Sequence, residues 1–415
     1  MFSSPRQIAA AVLLAVGACM ALALAGMQTM AFTDYEAEAE PALQALRDGR
    51  LAEFLQLAPA YGGSLILRSP FAGLPNLWGG GDLALFRSVA VPCLAAAAFL
   101  AVVLWDRSRA RGAGGGAAAL VLLLCAANPI TLRALEIGHP EELLGAVLCI
   151  AAVLAGGANR PVVAGALLGL AVANKPWAVL AAVPVAIALG GGGRRVAAAT
   201  AFAVAAAVLA PLALYGGAAI DAAAGTARTS GEIFQPWQAW WFVGDHAGTV
   251  YGLFGEKPGY RTPPEWIGQL ARPLVVLVPL ALSLVCAVRL RRRPWHDALL
   301  LLGLVFLLRC LLDPWNTSYY ALPSLLALLA WEAHARPGLP LLSLVTTTLT
   351  WVTFEELPRV ASPDVQALAY LAWSVPLALA LAWRLLDPNG FARRARPLAV
   401  ALRGRLPNLA AGFAR

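Results

Sequence analysis

Long apolar runs separated by short polar stretches occupy most of the chain from residue 8 to residue 386. Runs of this length that lack strict alternation predict membrane-spanning helices and argue against a transmembrane barrel. Two neighbouring runs, 161–174 and 177–190, are short and meet at Asn174-Lys175-Pro176, so half-spans or a tilted hairpin are alternatives to full spans there. The pattern predicts twelve spans, near 8–31, 83–104, 116–132, 142–157, 161–174, 177–190, 196–215, 273–290, 297–312, 319–333, 339–354 and 365–384.

Composition supports an all-α integral membrane protein. Of the 415 residues, 60% are hydrophobic and only 13% are charged, more apolar surface than a soluble chain of this length buries. The first apolar run is too long for a typical cleaved signal peptide and is predicted to be an uncleaved span. We predict one transmembrane domain over residues 1–390, followed by a basic cytoplasmic tail over 391–415.

The net charge of +8 first suggests nucleic acid as a partner, but its distribution along the chain favours the positive-inside rule instead. Alternate loops carry most of the arginines and are therefore predicted to be cytoplasmic, as are both termini. The opposite loops carry most of the acidic residues, and two are long, about 32–82 and 216–272. Function is therefore expected on the outer face of a plasma membrane. The basic positions are Arg6, Arg107, Arg109, Arg111, Arg160, Arg194, Arg195, Arg289, Arg291 to Arg293, Arg336 and those from Arg384 onward.

The first long loop opens with an acidic segment in which Asp34 is the first carboxylate after the first span. A carboxylate at the membrane boundary is partly desolvated and suited to accept a proton from a hydroxyl, although a solvated acidic loop explains the same residues. Tyr61 and Arg68 lie further along and are candidates for binding a polar substrate. A lipid headgroup contact is the alternative for Arg68.

Two turns between spans carry further candidate binding residues. Glu136 and His139 lie in a tight polar turn between spans, where they either bind a polar ligand or cap the next helix. Lys175 lies in the outer turn between the two short spans. Its ammonium group is either a point-charge phosphate binder or a side chain that snorkels to the interface.

Arg309 lies inside an apolar run, where an arginine costs at least about 2.5 kcal/mol. It forms either an anion site facing the bundle interior or a local ion pair with Asp313, one helical turn on. The following segment is dense in hydrogen-bonding side chains, including Asn316 and Tyr319. In the second long loop three tryptophans fall within five positions, typical of an interfacial belt or of stacking on a sugar ring: Trp237, Trp240 and Trp241.

The chain has no nucleotide-binding fingerprint, no metalloprotease motif and no cytoplasmic loop long enough for a nucleotide-binding domain. Its six cysteines lie within apolar runs without metal-ligand spacing. We therefore expect neither a metal nor another cofactor. A transferase on the outer face would need a donor carried by a membrane lipid, and its phosphate would need cations at the outer boundary, where Lys175 and Arg309 are predicted.

Three stretches resemble the membrane-embedded GT-C glycosyltransferases, especially actinobacterial polyprenol-phosphate-mannose-dependent mannosyltransferases. The first is Asp34-Tyr35 after the first span. The second combines the turn 138–144 with the segments 164–171 and 174–177, similar to the family's "GQ…AGxLLGLAxxxKP" pattern, with His139-Pro140 as a departure from it. The third is the late segment 308–316 with Tyr319, Tyr320 and Pro323.

The resemblance implies that Asp34 is the general base and that Lys175 contacts the donor phosphate. From the residues themselves we expect Arg309 to help stabilise the charge on the leaving phosphate, with His139 assisting. Tyr61, Arg68, Glu136, the three tryptophans, Asp313, Asn316 and Tyr319 would form the acceptor and sugar site. The expected partners are a polyprenyl-phosphate sugar, a glycolipid, polysaccharide or protein acceptor, and the bilayer. The alternatives are a transporter or flippase of lipid-linked envelope precursors, which usually shows related halves and midplane polar groups, and a non-catalytic assembly partner.

Overall fold

A computed structural model describes residues 4–28, 34–59, 61–217, 234–246, 249–252, 255–289 and 294–394. The predicted tail from residue 395 and the middle of the second long loop, 218–233, lie outside the described residues. The first half of the chain forms helices α1 Pro5–Gly26, α2 Glu40–Arg47, α3 Leu51–Leu57, α4 Gly62–Arg68, α5 Asp82–Ala110, α6 Gly115–Ala126, α7 Pro129–Ile137, α8 Pro140–Gly157, α9 Pro161–Asn174, α10 Ala182–Ala188 and α11 Arg194–Tyr215.

The second half is also helical. Its helices are α12 Glu265–Arg289, α13 Asp297–Leu312, α14 Leu322–Ala335, α15 Leu341–Trp351 and α16 Pro363–Leu386. Short 3-10 turns link several of these elements, notably Pro176–Ala181 before α10 and Ser318–Ala321 before α14, and π turns occur at Tyr35–Ala39 and Val352–Glu356.

Local sequence explains several helix ends. The Ser4 hydroxyl accepts a hydrogen bond from the Gln7 amide, and the Gln7 side chain accepts one from the Ser4 amide, which forms a capping box at the start of α1. Proline at the first helical position begins α7, α8, α9 and α16, where its missing N–H costs nothing.

Among the described residues, seven helical segments are long and apolar enough to cross a membrane. The continuous stretch Gly115–Ile137, made of α6 and α7, is one of them. The two segments on either side of Lys175 are shorter, as the sequence indicated. Helices also occupy the remaining predicted positions, but α13, α14 and α15 have only 16, 14 and 11 residues. The helical, multi-span fold is confirmed, while twelve crossings stay a prediction.

Both long loops contain secondary structure. The first contains α2, α3 and α4. The second contains two short antiparallel strand pairs, which the all-helical prediction missed because each strand has only two to four residues. Strand β1, Asp245–His246, pairs with β4, Arg261–Thr262, and β2, Thr249–Gly252, pairs with β3, Gly255–Pro258.

The core lies around α8, α13 and α14. Nearly every residue of α13 and every residue from Leu322 to His334 in α14 is buried. In the most apolar 18-residue stretch of α8, 72% of the residues are buried, against 11% in the corresponding stretch of α11. The exposed Leu, Val and Phe side chains of α1, α11 and α12 form a periphery suited to lipid.

Helix α9 is held against α11 at very short range. A Cβ on Gly165 would lie 2.3 Å from the Ala197 carbonyl oxygen, and one on Gly169 would lie 2.5 Å from the Ala201 carbonyl oxygen. Small residues four apart allow backbones to approach in this way in membrane helices. The contact fixes α9, and with it the position of Lys175 at its C-terminal end.

Candidate active site

A left-handed turn joins α7 to α8 and meets the segment that contains Asp34. Gly138 closes α7 with φ of 104° and donates its amide to the Ala134 carbonyl oxygen at 3.1 Å. A Cβ on Gly138 would lie 2.6 Å from the Tyr35 amide nitrogen, so a side chain there would collide with that backbone. Tyr35 is fully buried and packs on Phe86 of α5, with ring centroids 4.3 Å apart, which anchors the residue next to Asp34.

His139, the residue after this turn, lies between two carboxylates. Its Nε2 is 2.9 Å from Asp34 Oδ2, and its Nδ1 is 2.7 Å from Glu141 Oε1. The imidazole is 4% exposed, whereas the Asp34 side chain is 44% exposed. Asp34 is therefore held from the protein side and remains open on the other side.

Burial disfavours the charged imidazole of His139, but the charge of Glu141 and the hydrogen bonds with Asp34 and Glu141 outweigh it and raise the pKa to about 9. A raised histidine pKa stabilises the fold most below the unfolded value near 6.5. That contribution is lost as the pH rises through about 9.

Glu141 is the centre of a buried ion network. Its carboxylate, which is fully buried, also lies 3.0 Å from Lys175 Nζ and 3.3 Å from an Nη of Arg68. The Asn174 side-chain amide donates to the Glu141 carbonyl oxygen at 2.8 Å. Three cationic side chains, from α4, α9 and the α7–α8 turn, therefore converge on one carboxylate at the N-terminus of α8.

Glu142 extends the network to Arg309. Its Oε1 accepts a hydrogen bond from Trp177 Nε1 at 3.1 Å and lies 3.5 Å from Lys175 Nζ. Its Oε2 lies 3.8 Å from Arg309 Nη1, an ionic contact too long for a hydrogen bond. Within the described part of the chain, neither Glu142 Oε2 nor Arg309 Nη1 has a hydrogen-bond partner.

Aromatic rings enclose the cations. The Arg309 guanidinium lies 4.9 Å from the Trp177 ring and 4.3 Å from the Tyr320 ring, which stabilises its charge at 4% exposure. Lys175 Nζ lies 3.9 Å over the Tyr61 ring. The His139 ring meets Tyr61 edge-on at 5.8 Å.

Tyr319 completes this wall, with its ring centroid 4.7 Å from that of His139. Burial, followed by the charges of Glu141 and Glu38, raises the pKa of Tyr61 well above its usual range, so this phenol stays neutral. Of the residues singled out from the sequence, the structure therefore brings together Asp34, His139, Lys175, Arg309, Arg68, Tyr61 and Tyr319. Because both nitrogens of His139 already face carboxylates, a donor phosphate would have to displace one of them.

Glu136 belongs to a different ion cluster. It pairs with Arg133, three residues earlier, and Arg133 also reaches Glu355 at 2.9 Å. The Glu136 side chain is 34% exposed. The prediction that it binds the acceptor gains no support from these contacts.

The three tryptophans attach the second long loop to the bundle. Each indole N–H is donated within the protein: Trp237 to Thr353 O, Trp240 to Leu312 O and Trp241 to Asp364 Oδ1, at 3.2, 2.8 and 2.7 Å. Trp241 is fully buried. These contacts are structural, and a role in acceptor binding stays a prediction.

Asn316 and Asp313 shape the end of α13. The Asn316 amide donates to the Trp237 carbonyl oxygen at 2.6 Å and to the Tyr370 hydroxyl at 3.2 Å. Asp313 Oδ1 accepts from the Trp315 amide at 3.0 Å. Among the described residues, Arg309 pairs with Glu142 and not with Asp313, so the local ion pair that the sequence left open does not form.

Sequence reasoning missed the importance of Glu141, Glu142, Trp177 and Tyr320. Two acids at a helix start also fit a helix cap, and aromatic residues near a boundary also fit an interfacial belt, so neither pattern singles them out. Within the residues that the structure describes, no group of three or more His, Cys, Asp or Glu side chains is arranged to hold a metal ion.

Fold and site together define a multi-span helical membrane protein with a charged site where α7, α8, α9 and α13 end or begin. A family model described as Glycosyltransferase family 87 matches residues 62–314, more than half of the 415 residues. The chain therefore belongs to glycosyltransferase family 87 and is a membrane glycosyltransferase. Comparison with curated proteins gave no match. The matched segment contains His139, Glu141, Lys175 and Arg309, whereas Asp34 precedes it.

Proposed function

We propose that the protein transfers a sugar, mannose by the resemblance described above, from a polyprenyl-phosphate donor to a hydroxyl of an extracytoplasmic acceptor. The observation that carries this proposal is the position of Asp34. Its carboxylate is half-exposed, yet it is fixed through His139 to a buried network that contains Lys175 and Arg309. A base and two cations that are remote in sequence are thereby joined at one place.

In the proposed reaction the acceptor oxygen attacks the anomeric carbon while Asp34 takes the hydroxyl proton. The bond from the anomeric carbon to the phosphate oxygen breaks, and the lipid phosphate leaves with the bonding electrons. Attack opposite the leaving group inverts the anomeric centre, so a β-linked donor gives an α-linked product.

Lys175 and Arg309 supply positive potential for the charge that develops on the leaving phosphate. Both cations are partly neutralised by Glu141 and Glu142. A donor phosphate would therefore compete with these two carboxylates for Lys175 and Arg309. Arg309 is favoured for direct contact because its Nη1 has no hydrogen-bond partner among the described residues. The remaining acceptor contacts follow the predicted set, with Tyr61 and Tyr319 supported by their rings beside His139. Arg68 contacts Glu141 instead.

The outer face of the plasma membrane is the proposed side of catalysis. Its support is the distribution of charge along the sequence, with arginine-rich loops on one side and acidic loops on the other. Both termini would then be cytoplasmic. A lipid-linked donor fits this placement because nucleotide sugars are made in the cytoplasm.

The test uses purified full-length protein in lipid nanodiscs, radiolabelled polyprenyl-phosphate sugars and a native membrane fraction as the acceptor source. Wild type should transfer label from the lipid donor, and Asp34→Asn should lower the rate by about 10²–10⁴-fold. Asp48→Asn is the matched control, because Asp48 is 48% exposed and, within the described part of the chain, forms ion pairs with its neighbours Arg47 and Arg50 alone. Unchanged transfer by Asp34→Asn would remove Asp34 as the base. No transfer by wild type from any lipid-linked sugar would favour a transporter or an assembly partner.

A further inference from the structure

The two nitrogens of His139 face two carboxylate oxygens at hydrogen-bond distance, 2.9 Å to Asp34 and 2.7 Å to Glu141. A neutral imidazole has one N–H donor and one acceptor lone pair, whereas an imidazolium has two donors. With ionised carboxylates on both sides, only the imidazolium donates to both. The geometry therefore favours the imidazolium form of His139.

We propose that His139 is a positioning residue whose imidazolium, held by Glu141, orients the Asp34 carboxylate for catalysis. This inference rests on the proposed role of Asp34 as the base. Asp34 Oδ2 faces His139, and we assign Oδ1 to the acceptor hydroxyl. Lys175 and Arg68 act one step further away, because they fix the carboxylate of Glu141 that holds the ring.

The surroundings of His139 balance opposing charges. Negative groups face it from the segment before α2 and from α8, and positive groups reach the same Glu141 carboxylate from α4 and from the end of α9. Neutral phenols close the remaining sides. The titratable groups concerned are Asp34, Glu141, Lys175, Arg68, Tyr61 and Tyr319. The carboxylates outweigh burial and the cations, so the pKa of His139 is raised to about 9.

The proton balance does not use the imidazolium proton. The acceptor proton goes to Asp34, the new glycosidic bond forms as the phosphate leaves, and Asp34 then releases its proton to water, which reaches its half-exposed carboxylate. His139 keeps both of its protons throughout. When the ring loses one of them at alkaline pH, Asp34 or Glu141 loses its hydrogen-bond donor, so activity should fall there.

The activity test measures the kcat and donor KM of nanodisc-embedded protein from pH 6 to pH 10, with polyprenyl-phosphate mannose as the probe. Wild-type kcat should fall as the pH passes about 9. His139→Gln should lower kcat at pH 7 by at least about tenfold, leave donor KM within about twofold, and lose the alkaline fall. His246→Gln, an exposed histidine on β1, is the matched control and should behave as wild type.

Two activity results would overturn the inference. A rise in donor KM with kcat preserved in His139→Gln would make His139 a donor ligand. An unchanged alkaline fall in that variant would assign the titration to another group.

A stability test remains available should His139→Gln fail to fold or should wild type transfer no sugar. Asp34→Asn removes one carboxylate from His139, so the pH at which the protein loses stability on the alkaline side should shift downward from that of wild type. Superimposable stability curves for wild type and Asp34→Asn would refute the charged pair. A shifted curve without any transfer would leave the pair intact and reject the transferase proposal alone.

Discussion

Replacing Glu141 by Gln tests the ion network most directly. The change preserves side-chain size but removes the carboxylate that His139, Lys175 and Arg68 share at 2.7, 3.0 and 3.3 Å. Glu141 is fully buried and Arg68 is 1% exposed, so water does not take over the lost interactions. Removing one member of a buried ion pair costs about 3–5 kcal/mol, because the remaining charge stays desolvated. We expect a loss of at least that size here.

The assay is unfolding of the purified full-length protein in detergent, by temperature and by denaturant titration. Glu136→Gln is the matched control, since the same substitution there breaks a pair with Arg133 in which both side chains are about one-third exposed. A pair of that kind contributes about 0–1 kcal/mol. Equal destabilisation by the two variants would refute the network as a source of stability.

A second substitution tests whether an unpaired buried cation causes the destabilisation of Glu141→Gln. In the Glu141→Gln background, Lys175→Met removes one surplus buried cation, so part of the lost stability should return. Lys175→Met alone should destabilise, since it leaves Glu141 with one cation fewer. If the two losses simply add, the coupling between Glu141 and Lys175 that the 3.0 Å contact implies is absent.

Three other substitutions test the contact between Gly138 and Tyr35, the Arg309 guanidinium, and the tryptophans of the second long loop. Gly138→Ala should abolish detectable transfer and destabilise by more than about 1 kcal/mol, because its Cβ meets the Tyr35 backbone. Gly112 also has a positive φ, 89° against 104°, but lies in open space, so Gly112→Ala should show the backbone strain alone. Arg309→Lys keeps the charge but loses the planar stack between two rings, and kcat/KM for the lipid donor should fall about tenfold. Trp241→Phe deletes one buried indole hydrogen bond and should cost about 1 kcal/mol with transfer preserved; loss of transfer at unchanged stability would instead support the predicted acceptor contact.

The sequence picked out individual residues of the candidate site because their charges are unusual at their positions along the chain. Lys175 and Arg309 are cations beside or within apolar runs, and Asp34 is the first acid after the first span. A charged residue within or beside a membrane span costs free energy, so its presence suggests a function. This inference requires no tertiary structure. The same argument failed for Glu141 and Glu142, because acids at a helix start need no further explanation.

What the sequence by itself determined is the helical membrane class, since the apolar runs and their lengths follow from the free energy of burying side chains in lipid. It also identified the cations and the acid as unusual. Only the tertiary structure decided that His139 contacts Asp34, because this contact crosses 105 residues and depends on how the α7–α8 turn meets the segment at Tyr35. Contacts between distant segments leave no periodic pattern along a chain, whereas burial in a membrane does.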